Sequence, residues 1–304
     1  MIRLLSERPR LAALLGATCI AFSGIFYRFA DVSPSTATVF RCLYGLPLLA
    51  AVAWVEHRRY GGMPWSTVRI AAVAGVFFAG DLTFWHHAIE AVGAGLSTVL
   101  GNLQVLVVGI VAWLLFGERP SRTVFLALPV VLGGVVLISG VVGGDAYGAN
   151  PPLGVLLGVL TAICYAGYLL VIRHGGRDQR RSAGPVAVST LSTAVVAGII
   201  GVPLGDLNLV PSWPAHGWLA IYGLTSQSLG YLLISVSLPR LPAVLTSIIL
   251  LVQPVMSMGL AMVLLAEAPS LAQLVGVALV VGGIAIATVP VDRFRRVLEP
   301  AGTP

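Results

Sequence analysis

Apolar runs of about 20 residues recur along nearly the whole of this chain, each long enough to cross roughly 30 Å of hydrocarbon as a helix. They fall at 9–30, 36–56, 68–89, 92–116, 121–142, 152–173, 186–204, 215–236, 242–266 and 270–290. The connections are short and carry the residues that end helices: Pro34, Gly61-Gly62, Pro120, Gly143-Gly144, Pro151-Pro152, Gly175-Gly176, Pro211, Pro214, Pro239 and Pro269. Only 10% of the residues are charged and 57% are hydrophobic, against about 25% charged in an ordinary soluble domain. A water-soluble fold cannot bury that much apolar surface, and the strict alternation of a membrane β-barrel is absent. The expectation is an all-α membrane protein with ten transmembrane helices and no separate soluble domain.

The placement of arginine supports the same count. Lysine does not occur, and 16 of the 18 arginines fall at alternate ends of the ten runs, in the groups that begin at Arg3, Arg58, Arg119, Arg173, Arg240 and Arg293. The other ends hold Asp31, Glu90, Asp145, Asp206 and Glu267, with Arg28 as the one basic residue there. Basic residues mark the cytoplasmic side, so both termini are expected in the cytoplasm, with the protein in the cytoplasmic (inner or plasma) membrane. The net charge of +6 is therefore topological. It forms no nucleic-acid-binding patch, and the expected partners are lipid and a small-molecule substrate, with a monomer as the working unit. The first run is too long for a signal-peptide core, and Arg28 stands where a cleavage site needs a small residue, so a retained first helix is expected. Cys19, Cys42 and Cys164 lie inside apolar runs without metal or redox spacing and read as packing residues.

The chain also repeats itself. Residues 88–138 fall on 237–287 at a constant offset of 149, which aligns Gln104 with Gln253, Glu118 with Glu267, Pro120-Ser121 with Pro269-Ser270, and Gly133-Gly134 with Gly282-Gly283. A weaker echo, at an offset of 143, sets Phe22 and Gly24 on Tyr165 and Gly167. The units are residues 1–147 and 148–304. Each holds five expected helices, an odd number, so the second half enters the membrane inverted. Inverted halves with a site between them are the architecture of secondary transporters.

Two five-helix halves, each with an apolar helix followed by Gly-Glu-Arg-Pro-Ser (117–121) or Ala-Glu-Ala-Pro-Ser (266–270) and then a helix with a double glycine, resemble the EamA-type drug/metabolite transporter superfamily. Arg41 matches an arginine common at that place in the first repeat of such proteins, and the second half has no arginine in its seventh helix to mirror it. The resemblance covers nearly the whole chain. It implies a carrier of small metabolites, many relatives being amino-acid exporters, with a central cavity lined by helices 1, 3, 4, 6, 8 and 9.

Polar residues inside the membrane are costly and therefore informative. Arg41 and Asp81 lie about six and nine residues from the same ends of helices 2 and 3, depths that differ by roughly 5 Å. They are expected to pair, directly or through water, either as a packing device or as contacts for a zwitterionic substrate or a coupling proton. Gln104 and Gln253 fall near the midplane at equivalent places of the repeat, with Asn102 beside the first. Pro254 after the second frees a backbone carbonyl near Leu250. Interhelical bonding competes with substrate contact as their role. Aromatic and small polar residues could line a cavity: Phe22, Ser23, Tyr27, Phe84, Trp85, Tyr165, Tyr168, Ser226, Gln227, Ser228 and Tyr231. Trp65, Trp213 and Trp218 read as interfacial residues.

His86 and His87 with Glu90 share a helix face, but third and fourth ligands at that depth are not evident, so no metal is expected. His86 remains a candidate substrate contact. No Walker or dinucleotide motif occurs, which argues against ATP-driven transport and against a cofactor. The substrate-binding candidates are thus Arg41, Asp81, Trp85, His86, Asn102, Gln104, Tyr165, Tyr168, Gln227, Tyr231 and Gln253, in a carrier that is not an enzyme. Amino-acid export is the leading reading. Nucleotide sugars or drugs are alternative cargoes, and a lipid-modifying membrane enzyme is the alternative of another class.

Overall fold

The structure, a computed structural model, describes residues 8–117, 121–142, 145–175, 181–237, 240–241 and 249–288. Glu118 and Pro120 of the first junction, Arg3, Arg119, Arg177, Arg180, Arg293, Arg295 and Arg296, and part of the expected ninth span (242–248) lie outside those residues.

The described residues fall into ten helical segments with no strand among them. They are α1 (Pro9–Ala30), α2 (Pro34–Tyr60), α3 (Trp65–Val92), α4 (Ala94–Phe116), α5 (Arg122–Ile138), α6 (Pro151–Gly175), α7 (Ala183–Leu204), α8 (Trp213–Ser237), α9 (Val252–Leu264) and α10 (Leu271–Thr288). Eight are long and apolar enough to cross a membrane, while α5 and α9 are shorter apolar helices. Proline opens α1, α2 and α8 within the first two positions, where its missing N–H costs nothing. Leu114, Leu126, Ile199, Val263 and Leu271 are exposed on the outside of the bundle. In water that belt would drive aggregation, whereas in lipid it is the required surface.

Three helices depart from regularity. α1 breaks at Phe22, α4 breaks at Asn102-Leu103, and α8 widens to π-type turns over Gly223–Gly230. A further break at Leu251 precedes α9. The breaks at 102 and 251 are equivalent in the repeat, but their causes differ. Pro254 removes a backbone donor in the second half. In the first half the Asn102 side-chain amide takes the Thr98 carbonyl at 2.8 Å, and the turn closes on it without a proline.

The double glycines do different work within each pair. A Cβ on Gly134 would lie 2.6 Å from the Gly276 carbonyl oxygen, and one on Gly276 would lie 2.6 Å from that of Gly134, so α5 and α10 touch backbone to backbone. Gly283 packs on Val131, while Gly133 and Gly282 face open space. Gly134→Leu is therefore expected to cost about 1–3 kcal/mol by overpacking, and Gly133→Leu close to nothing. Paired thermal unfolding of the two variants in detergent checks this.

α2 and α7 cap each other at both ends. The Glu56 carboxylate, near the end of α2, accepts the backbone N–H groups of Ser182, Ala183 and Gly184 at 2.9 Å each, at the start of α7. On the other side Asp206, just past α7, accepts the Ser35 N–H at 3.2 Å at the start of α2, and its carbonyl accepts the Ser33 hydroxyl. Both carboxylates meet the unpaired donors and positive end of a helix dipole. Ser35 and Gly184 are 149 positions apart, the offset of the repeat.

Candidate functional site

A cavity of about 480 Å³ lies between the first-half helices α1–α4 and the second-half helices α6–α9. It runs from Asp81 and Trp85, past the middle of α3, to Thr67 and Arg181 at the helix ends on the side of the N-terminus. Helices 1, 3, 4, 6, 8 and 9 line it as expected, and α2 adds Arg41 while α7 adds Pro185 and Val186.

Nine of the eleven candidates face this space: Arg41, Asp81, Trp85, Asn102, Gln104, Tyr165, Tyr168, Tyr231 and Gln253. Tyr165 and Tyr168 stack with centroids 5.6 Å apart, and Phe78 sits against Tyr168 at 4.9 Å and edge-on to Tyr231 at 5.2 Å. They form an aromatic wall whose rings are fixed by one another. Gln104 and Gln253 enter from the two interrupted helices, and the Gln104 side-chain oxygen has no partner. Ser23 lines the cavity too, with its hydroxyl unpartnered, whereas Phe22, Phe84, Ser226 and Ser228 do not line it. Ser226 and Ser228 instead bond the carbonyls of Cys19 and Gly45, at 2.8 and 2.7 Å, and tie α8 to α1 and α2.

Two candidates stand behind the lining. Gln227 is fully buried and its amide donates to the Thr190 hydroxyl at 2.9 Å. His86 is also fully buried, with Nδ1 2.8 Å from the Thr38 hydroxyl and Nε2 3.1 Å from the Tyr222 hydroxyl. Neither lines the cavity: His86 spends both ring nitrogens between helices, while Gln227 spends its amide nitrogen there and leaves its buried side-chain oxygen unpartnered.

Arg41 and Asp81 make no direct ion pair. Both side chains are buried and line the same cavity, so the depth argument placed them together. Arg41 instead donates through Nη1 to the Tyr222 hydroxyl and stacks on the Tyr222 ring, Cζ to centroid 4.3 Å. Tyr222, which stands behind Arg41 and outside the cavity lining, is the contact that sequence reasoning missed. Its signal is the glycine that follows it. A Cβ on Gly223 would lie 2.7 Å from the Arg41 carbonyl oxygen and 2.9 Å from the Gly45 nitrogen, so only glycine lets α8 come close enough to set Tyr222 on Arg41.

The side away from the N-terminus is closed by polar contacts. Tyr27 donates to Glu90 at 2.8 Å and Arg28 reaches the same carboxylate at 3.4 Å. His87 lies 3.5 Å from Asp206. Glu267 accepts the backbone N–H groups of Ala94 and Gly95 at 2.6 and 3.1 Å, which caps α4 from the second half of the chain. The approach needs Gly93, which has φ +90° and whose Cβ would strike the carboxylate at 2.8 Å. Burial pushes the Glu267 carboxyl above the usual carboxylate range, and this outweighs the two amide donors and Arg28, which pull it down. Trp65 and Trp213 are exposed at opposite ends of the bundle, while Trp218 packs on Phe29 with centroids 4.9 Å apart.

Comparison with curated proteins returned no match. Among solved structures, a crystal structure aligns over 93% of this chain and 98% of its own at 22% identity, with a TM-score of 0.63, a likeness of fold. The sequence model of the EamA-like transporter family matches residues 9–140 and again 152–289. With both segments matched, on either side of a cavity between them, this multi-pass membrane chain belongs to the EamA-like transporter family.

Proposed function

We propose that the protein is a secondary carrier that moves small organic solutes, with amino acids as the leading class, outward across the cytoplasmic membrane. All ten helices would cross the bilayer as two inverted five-helix halves with both termini in the cytoplasm. The halves would rock about the cavity and expose it to each side in turn.

The observation that carries this reading is the cavity's combination of charges and walls. Arg41 and Asp81 offer a guanidinium and a carboxyl group to the same space without a direct ion pair between them, and aromatic rings cover the far wall. A zwitterion with an apolar side chain matches that layout. The volume falls within the roughly 300–1,000 Å³ of small-molecule sites. A phosphate-rich cargo such as a nucleotide sugar would call for several cations, and Arg41 is the one deep in the cavity, with Arg181 at its mouth.

Counterflow in proteoliposomes tests the proposal. Vesicles loaded with unlabelled amino acids are expected to accumulate a labelled aromatic amino acid saturably, and Gln253→Ala is expected to raise its half-saturation concentration about 3- to 10-fold, one hydrogen bond's worth. No exchange with any amino acid overturns the substrate class. Exchange that never saturates overturns the carrier.

A further inference from the structure

A guanidinium and a carboxyl group, both buried, line one cavity, where attraction between them is stronger than in water. Something must hold Arg41 off Asp81, and the hydrogen bonds behind Arg41 have a single consistent direction that accounts for it.

The Thr38 hydroxyl has one proton, and it donates that proton to the Pro34 carbonyl at 3.0 Å. Its contact with His86 Nδ1 must then be accepted, so Nδ1 carries a proton and Nε2 does not. The unprotonated Nε2 accepts from the Tyr222 hydroxyl, whose oxygen is left to accept from Arg41 Nη1. In the opposite direction His86 Nε2 and Arg41 would both donate to Tyr222, and the Tyr222 proton would have no acceptor. Tyr222 is fully buried, so that arrangement would forfeit about 1–3 kcal/mol. In this order Thr38 and Tyr222 each use one donor and one acceptor, and nothing is left over until Arg41. There the Nε–H is buried and unpartnered.

We propose that Tyr222, His86 and Thr38 are positioning residues for substrate selectivity. They form a directed relay, anchored on the Pro34 carbonyl of the same helix that bears Arg41, and it pins the guanidinium away from Asp81 with donor capacity to spare for a carboxylate. The rings of Tyr27 and Trp85, at 4.6 and 5.1 Å from the imidazole, hold His86 in register. None of the three residues lines the cavity, so their effect reaches substrate only through Arg41. The relay geometry stands by itself, and the selectivity claim rests on the carrier reading above.

Two measurements separate the two parts. The first needs no substrate. In protein labelled with ¹⁵N-histidine, the His86 resonance, assigned by its loss in His86→Gln, is expected to show the Nδ1–H tautomer. The Nε2–H tautomer overturns the relay. The second compares a labelled aromatic amino acid with the corresponding amine that lacks the carboxylate. Tyr222→Phe and Thr38→Val are expected to raise the half-saturation concentration of the amino acid about tenfold and threefold. The amine should be unaffected, and Thr38→Ser should behave as wild type. Unchanged amine transport shows that the variants fold. If Arg41→Gln erases discrimination between the two solutes while Tyr222→Phe preserves it, the relay has no positioning role. If Arg41→Gln also preserves it, the reading of Arg41 as the anion contact fails instead.

Discussion

Arg41→Leu is expected to raise the half-saturation concentration for a carboxylate-bearing solute on the order of 100-fold, equivalent to about 3 kcal/mol. The effect is large because two losses coincide. A charge-assisted hydrogen bond to the solute contributes about 1.5–3 kcal/mol, and the cavity also loses its one deep cation, so nothing offsets the cost of desolvating the carboxylate there. Arg41→Lys is expected to recover part of the affinity. It restores the positive charge but not the planar fork that reaches the Tyr222 hydroxyl while the guanidinium lies on its ring. Concentration-dependent exchange in proteoliposomes checks both variants, and equal affinities for Leu and wild type would remove Arg41 from the site.

Glu267→Ala is expected to open the side that the wild type holds closed, shifting the balance between closed and open forms about 30-fold. The variant strands the Ala94 and Gly95 N–H groups in a buried place, at about 1–3 kcal/mol each. Spin labels on exposed Asp31→Cys and Ala268→Cys, with Cys19, Cys42 and Cys164 replaced, would report a longer and broader distance distribution. The same labels carry a pH prediction. Burial raises the pKa of Glu267 in the closed form, so that form binds its proton more tightly than one in which Glu267 faces water. The resulting preference is complete below the ordinary carboxylate pKa and declines as pH rises through the raised value. Glu267→Ala should abolish that dependence.

The parts of this architecture legible in the sequence are those that depend on one helix at a time. Apolar length located the helices, and the offset of 149 matches the break at Asn102 with the one at Leu251. Depth along a helix was legible as well, which is why Arg41 and Asp81 were placed in one space. Rotation about the helix axis was not. In a membrane helix a polar residue turned to a cavity and one turned to a neighbouring helix leave the same mark, an isolated polar side chain in an apolar run. His86 and Gln227 were candidates on that mark alone, and both face other helices. The absence of a direct Arg41–Asp81 bond has a related cause. Its competitor, Tyr222, is 181 positions from Arg41, and helical periodicity says nothing about which helix stands behind an arginine. Only the glycine after Tyr222 hinted at close approach. The break at Leu251 had a proline to announce it, whereas its counterpart at Asn102 depends on a side-chain bond that any asparagine could make elsewhere.

The reciprocal capping of α2 and α7 has a consequence for the rocking mechanism. If the two halves exchange conformations, each takes up the shape the other had, and every contact is carried onto its image under the repeat. The Glu56 and Asp206 caps are carried onto each other. Their combined energy is then the same in both end states, so they can neither favour one access direction nor oppose the change. Such a joint behaves as an axle, stiff yet thermodynamically silent. The cap from Glu267 closes one side only and belongs to the contacts that differ between the end states. Substitutions at Glu56 should therefore weaken the whole bundle without biasing its direction, those at Glu267 should bias direction with little cost to the bundle, and those at Asp206, which also meets His87 on the closed side, should do both.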